Sequence, residues 1–194
     1  MEKQIWKPGN MLYPLPAVLV SLVDRDGKPN ILTVAWTATV CTNPPMLSIS
    51  VRPERYSYQG LVDTGEFTVN LTTEELVFAT DFCGVRSGRD VDKFQHLKLS
   101  HQKGEKTRAP LIGESPVNIE CRVQKIEKLG SHHMFLASVE AVHAQSAYMD
   151  EKGRFDLSRA KPIVYSHGEY YSLGKKLGKF GYSIQKKKDR EFRR

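Results

Sequence analysis

The side chains best suited to hold a ligand crowd into one stretch of this sequence. Thr37, Thr39, Cys41, Thr42, Ser48 and Ser50 surround Pro44-Pro45, and Arg52 and Arg55 follow. Small side chains let a ligand approach the backbone, and hydroxyl and N–H groups there can hold a phosphate or the edge of a polar ring. A guanidinium beside a helix start adds an anion site. The same residues also read as a threonine-rich strand, a turn and two surface arginines, because threonine favours strands. Residue types alone leave both readings open.

Six histidines offer further chemistry. His132 and His133 follow Gly130-Ser131 at an expected hairpin tip, where an imidazole can face a cleft. An exposed loop histidine is the plainer alternative. His96, His101, His143 and His167 have no partners at metal-ligand spacing, so no metal is expected. Cys83, before Gly84, reads as a small buried residue more readily than as a reactive thiol. The sequence has no Gly-x-Ser-x-Gly elbow, no Gly-x-x-x-x-Gly-Lys-Ser/Thr loop and no Gly-x-Gly-x-x-Gly after a strand. Any nicotinamide therefore binds on another kind of surface. Near the C-terminus Tyr165, Tyr170, Tyr171, Phe180 and Tyr182 interleave with Lys175, Lys176 and Lys179. Such a mixture can stack bases, form a partner-facing arm or cover a flat aromatic cofactor. Packing on the chain's own body or on a second subunit is the default expectation.

Strands must position these groups. Residues 17–24 form a short strand candidate rich in Val and Leu, Asp26-Gly27 suits a tight hairpin, and residues 30–35 read as the returning strand with Ile31, Thr33 and Ala35 on one face. Residues 46–51 alternate apolar side chains with serine, the period of a half-buried strand. Residues 56–63 suit a short helix ended by Thr64-Gly65. Residues 67–71 read as a strand, and Thr72 with Glu75 makes a capping box for a helix toward Phe82. Residues 83–89 read as a glycine-punctuated loop, and Asp90 suits the cap of a single turn through Phe94. Residues 117–128 and 134–145 are long strand candidates, and 163–165 a last short one. Several strands with tight turns and few helices predict an antiparallel barrel.

The 194 residues give one domain over 1–184 and a basic tail over 185–194. The formal net charge of +7 first suggests nucleic acid. Residues 185–194 hold six basic and two acidic side chains, so the other 184 residues carry only +3. A nearly balanced body with a basic terminus argues against a polyanion groove. No nucleic acid and no membrane are expected as partners, for the longest apolar run, 17–23, is far too short to span a bilayer. Three widely spaced cysteines and no apolar leader segment predict no disulfide framework and a cytoplasmic location.

The chain resembles the flavin reductase-like family of FMN-binding split-barrel proteins, closest to its flavoredoxin branch. The resemblance rests on Asn30-Ile31-Leu32-Thr33-Val34-Ala35-Trp36, on Thr42 through Val51, on Arg55-Tyr56-Ser57-Tyr58 and on Thr64 through Leu71. It continues through Cys83-Gly84-Val85-Arg86-Ser87-Gly88-Arg89-Asp90-Val91-Asp92-Lys93-Phe94, Gly130-Ser131-His132, Pro162 through Tyr165 and Tyr170 through Gly174. It implies a mainly β, Greek-key split barrel that forms a homodimer with FMN near the interface. Asn30, Thr33, Trp36, Thr37, Ala38, Thr39, Val40, Cys41 and Thr42 would then run beside the isoalloxazine and ribityl chain. Ser50, Val51, Arg52, Arg55, Tyr56 and Ser57 would receive the phosphate, and His132 would position the flavin or a nicotinamide. The implied activity is hydride or electron transfer from NADH or NADPH through FMN to a flavin, ferric or protein acceptor. The alternative is a flavoredoxin-like electron carrier that keeps its FMN and makes no direct use of NAD(P)H.

Overall fold

The computed structural model describes residues 1–184; the expected basic tail at 185–194 lies outside the described residues. In chain order the strands are β1 (Leu15–Pro16), β2 (Val18–Val23), β3 (Pro29–Val34), β4 (Thr37–Thr42), β5 (Pro45–Val51) and β6 (Glu66–Leu71). They continue with β7 (His101–Gln102), β8 (Leu111–Ile112), β9 (Val117–Lys128), β10 (His133–Ala144), β11 (Ile163–Ser166) and β12 (Glu169–Ser172). Three short helices, α1 (Ser57–Thr64), α2 (Val77–Val85) and α3 (Lys93–Leu97), interrupt them.

Seven strands make one antiparallel sheet in the order β3-β2-β6-β9-β10-β5-β4. Its two ends, β3 and β4, are neighbours in sequence, joined only by Ala35-Trp36. The sheet therefore curls until its edges meet, and the ladder does not close between them. Register shifts in the β9–β10 pair, at Leu136/Ala137 and Val139/Ala141, insert the extra residues that bend such long strands. Inside the curl, Val20, Leu22, Leu32, Val34, Ile49, Phe67, Val69 and Phe135 pack together. Leu61 of α1 enters the same core. Gly60 allows it, because a Cβ there would lie 2.7 Å from Leu22 Cδ1 and 3.3 Å from the Val23 carbonyl. The Asp-Gly turn between β2 and β3 forms as expected: Gly27 takes φ +82°, and the Asp24 carboxylate accepts the Asp26 and Lys28 N–H groups.

β2 and β3 are buried on both faces, which is why residues 17–23 read as apolar sequence broken only by Ser21. On their outer face Leu19 and Ile31 meet Leu76, Ala79 and Cys83 from the α2 region, together with Phe94 and Ile112. Here the structure departs from the expected local elements. α2 runs through Cys83 and Gly84 to Val85, where a loop was expected. Gly84 lies against Thr33, and a Cβ there would make an ordinary contact with Thr33 Cβ at 3.4 Å. The capping box does not form: Thr72 Oγ1 donates to the Ala17 carbonyl, and a 3₁₀ turn at Glu74–Leu76 precedes α2. Asp92, not Asp90, caps the next helix, accepting the Gln95 N–H at 3.1 Å. β12 had no forecast; it pairs with β11, and β11 pairs with β1.

Two buried polar side chains fasten the irregular stretch 100–116 to the sheet. Asn70, fully buried, donates to the Leu19 carbonyl and to Ser21 Oγ, and its Oδ1 accepts from Ile112 N and Asn118 Nδ2. Glu120, also fully buried, accepts the N–H groups of Glu105, Lys106 and Thr107, the Thr107 hydroxyl and His143 Nε2. Burial alone would raise the Glu120 pKa. The His143, backbone and Thr107 hydrogen bonds outweigh it and hold the carboxyl at about 2, against an ordinary 4.5.

A carboxyl whose folded pKa is depressed stabilises the fold above its unfolded pKa and stops doing so as pH falls toward the folded one. The urea midpoint should therefore fall between pH 4.5 and about 2, and Glu120→Gln should flatten that fall. A midpoint with the same acid limb in both proteins would deny Glu120 this role.

Candidate functional site

A cleft of about 530 Å³ opens where the ladder fails to close. Its floor is the end of β3 with the Ala35-Trp36 link, and its near wall is the end of β5 running into Arg52 and Arg55. Ser50 N donates to the Trp36 carbonyl at 2.9 Å, so β5 holds the link in place across the seam. β10 starts opposite the end of β5, with His133 paired to Val51, and this register brings His132 beside Arg52. Gly130, at φ +89°, makes the turn that permits it. The far wall is α2, through Asp81, Gly84 and Val85, and the β11–β12 hairpin, through Tyr165, Gly168 and Tyr170.

The cleft has two aromatic flanks. On one, the Trp36 and His132 rings lie nearly parallel, 7° apart in plane, with centroids at 6.0 Å. On the other, Tyr165 and Tyr170 face each other across the hairpin at 5.7 Å, and Tyr13 lies 6.2 Å from Tyr165. Tyr170 donates to Asp81 Oδ1 at 3.3 Å, tying the hairpin to α2. Burial, aided by that carboxylate, pushes the phenol up to about 12, so it stays protonated.

Both signs of charge line the cleft. Arg52 and Arg55 act on His132, and Asp81 is the acid on the far wall. Arg55 Nη1 donates to the Gly84 carbonyl at 2.8 Å, one residue beyond the Cys83 carbonyl that accepts from Lys93 Nζ at 3.0 Å. Lys93 is only 4% exposed and also donates to the Ile31 carbonyl at 2.7 Å. Burial lowers its pKa, yet the two carbonyls suit an ammonium at a helix C-terminus. The Arg52 guanidinium makes no hydrogen bond or ion pair among the described residues, so its fork is available to a ligand.

Seven residues singled out from the sequence line this cleft: Thr33, Trp36, Ser50, Val51, Arg52, Arg55 and His132. Thr37 and Ala38 line a second cavity of about 570 Å³ on the other side of Trp36, with Met11, Leu12, Tyr13 and Leu15. Thr39, Val40, Cys41 and Thr42 continue along β4 and line neither cavity. Asn30 and Ser57 are buried and bonded to each other at 2.7 Å, behind the cleft. Tyr56 also lies outside it, with the Arg89 guanidinium 5.9 Å above its ring. His133 has a structural partner in the Tyr58 hydroxyl at 2.7 Å. The far wall was not named from the sequence. Its tyrosines carried a signal, as candidates to cover a flat cofactor, but Asp81, inside an unremarkable helix, carried none.

Residues 11–174 match the flavin reductase like domain family. The chain is 32% identical over 152 residues to an uncharacterized protein of Archaeoglobus fulgidus, covering 78% of this chain and 85% of that protein. The flavoredoxin of Desulfovibrio vulgaris (Miyazaki F) superposes with a TM-score of 0.88 at 30% identity, covering 95% of this chain and 100% of that one. The flavoredoxin of Methanosarcina acetivorans superposes at 0.85, also with 30% identity and the same coverage. The mainly β split barrel expected from the sequence is the fold found.

Burial, and then Arg52 and Arg55, lower the His132 pKa, with Glu54 opposing. The imidazole is accordingly neutral at neutral pH. An NMR titration should place its midpoint below the ordinary 6.5, and Arg52→Gln should move it upward. A midpoint at or above 6.5 would contradict this electrostatic picture.

Proposed function

The chain belongs to the flavin reductase like domain family, and from that premise we propose that the cleft binds FMN in an oxidoreductase of flavin reductase type. Electrons would come from NADH or NADPH and leave for a flavin, ferric or protein acceptor. The observation that carries this reading is the pairing of two guanidiniums with two aromatic flanks in one cleft. The donor set fits the group: Arg52 has its fork available, Arg55 keeps N–H groups beyond the one given to Gly84, and Ser50 adds a hydroxyl. These suit a single phosphate, and the flanks suit a flat ring system.

Bound there, FMN would supply reversible hydride and electron chemistry at N5. The chain's own residues do the rest. Arg52 and Arg55 would anchor the phosphate, with Arg55 steadied on the end of α2. Trp36 would limit where a ring can lie, since it is held by Ser50 and stacked on His132. His132, neutral, would orient an incoming partner ring without adding a third cation beside the two arginines. Tyr165 and Tyr170 would keep water from the opposite flank, held by the bond to Asp81. The reading includes a homodimer with the cofactor near its interface; its support is the exposed outer edge of β4, where Val40 stands out. A second reading, an electron carrier that keeps its FMN, draws on the likeness to two flavoredoxins at 30% identity.

Purified protein should be yellow or become so on adding FMN, and anaerobic NADH or NADPH should bleach it. Bleaching by dithionite but by neither nucleotide would favour the carrier. Protein that stays colourless and takes up no FMN would sink both readings. Arg52→Ala should weaken FMN binding by about tenfold or more while leaving riboflavin affinity within about twofold, because only the phosphate contact is lost. Equal losses for the two flavins would place the phosphate elsewhere.

A further inference from the structure

Residues 173–194 contain nine basic and two acidic side chains, a net +7. That is the whole formal charge of the chain, so residues 1–172 are balanced at zero, with twenty of each sign. The described part of this segment, 173–184, contributes Lys175, Lys176 and Lys179 and no acid. All three lysines are exposed. Leu177 is 86% exposed, Phe180 109% and Ile184 87%. Of the two default expectations, packing on the body of its own chain therefore does not describe residues 173–184, and packing on a second subunit is a matter for the test below.

The segment is shaped locally nonetheless. Tyr182 folds back over Gly178, where a Cβ would lie 2.7 Å from its ring, and Tyr182 N donates to the Lys179 carbonyl at 3.0 Å. This hook sets Tyr182, still 56% exposed, against Gly178 and leaves Leu177, Phe180 and Ile184 more exposed still. The segment also has a functional address. It leaves β12 three residues after Tyr170, which lines the cleft.

We propose that residues 173–184 are the docking arm for an acidic redox protein, which the arm holds beside the cleft. The inference rests on the redox reading above. Charge complementarity selects the occupant, because lysines around apolar side chains suit an acidic surface with an apolar centre. Residues 1–172 of a second copy carry no net acidic charge to attract the lysines over a distance, so an acidic partner is the better complement. A bilayer would need a helix with one apolar face. Gly174, Gly178 and Gly181 oppose that helix.

The test measures binding of the full chain, with and without FMN, to an acidic plant-type [2Fe–2S] ferredoxin. Saturable binding at low salt is expected, with a loss of about tenfold or more between roughly 20 and 200 mM NaCl. The triple variant K175E/K176E/K179E should bind about tenfold or more weakly, with flavin content and thermal midpoint unchanged. L177D/F180D should weaken binding even at low salt. Absence of binding, or equal binding by the triple variant, would overturn the proposal. So would tighter capture of the full chain by phosphatidylglycerol vesicles or by a single-stranded oligonucleotide, or self-association of the full chain that L177D/F180D abolishes. Lysine-dependent binding by protein that takes up no FMN would preserve the arm and refute the flavin reading. FMN uptake without ferredoxin binding would refute the arm alone.

Discussion

A two-residue link sets the terms for the rest of this molecule. Ala35-Trp36 connects β3 to β4, the opposite ends of a seven-stranded order. Neighbours in sequence usually pair as a hairpin, and here they do not. The curled sheet brings them together, yet the ladder between them stays open. The open seam makes room for a cleft in the wall of a well-packed core, and it fixes who stands there. Trp36 is in the link itself, Thr33 precedes it, and the end of β5 reaches it through Ser50. The register of β10 on β5 then brings His132 to the same place. A barrel closed between β3 and β4 would bury these groups in pairing and leave no site.

Buried charge serves the seam from behind. Lys93 grips the Ile31 and Cys83 carbonyls, tying the end of α2 to β3, and Arg55 takes the next carbonyl along. One helix end is thus shared between an inner cation and an outer one. Farther along the same outer face of the sheet, Glu120 and Asn70 satisfy N–H groups of a stretch with little regular structure. Without such acceptors a loop lying on a sheet would leave donors unpaired, each costing about 1–3 kcal/mol. The irregular segment is affordable because two strands carry its acceptors.

The strands were legible because their signals are local. The apolar run of β2, the Asp-Gly turn and the alternation in β5 each report burial and turn geometry directly. α2 runs past Phe82 although Gly84 reads as a breaker, and the Cys83 and Gly84 carbonyls at its end are met by Lys93 and Arg55. Composition does not show which cations will meet those carbonyls. In the site, the arginines and His132 announced themselves by type and neighbourhood. Asn30 and Ser57 look like ligand groups in sequence, but they satisfy each other in the interior. Asp81 and Tyr170 lie 89 residues apart, and only the tertiary packing of the hairpin on α2 unites them.

The segregation of charge bears on how copies of this protein behave in a crowded solution. Molecules near electrical neutrality repel one another weakly and associate readily, while an excess of one sign keeps them dispersed. Residues 1–172 have no excess to offer. Colloidal repulsion between copies is delegated to the same segment that shows Leu177, Phe180 and Ile184 to solvent. The arm is therefore at once the stickiest part of the chain and the source of its dispersal, with ionic strength setting the balance between the two.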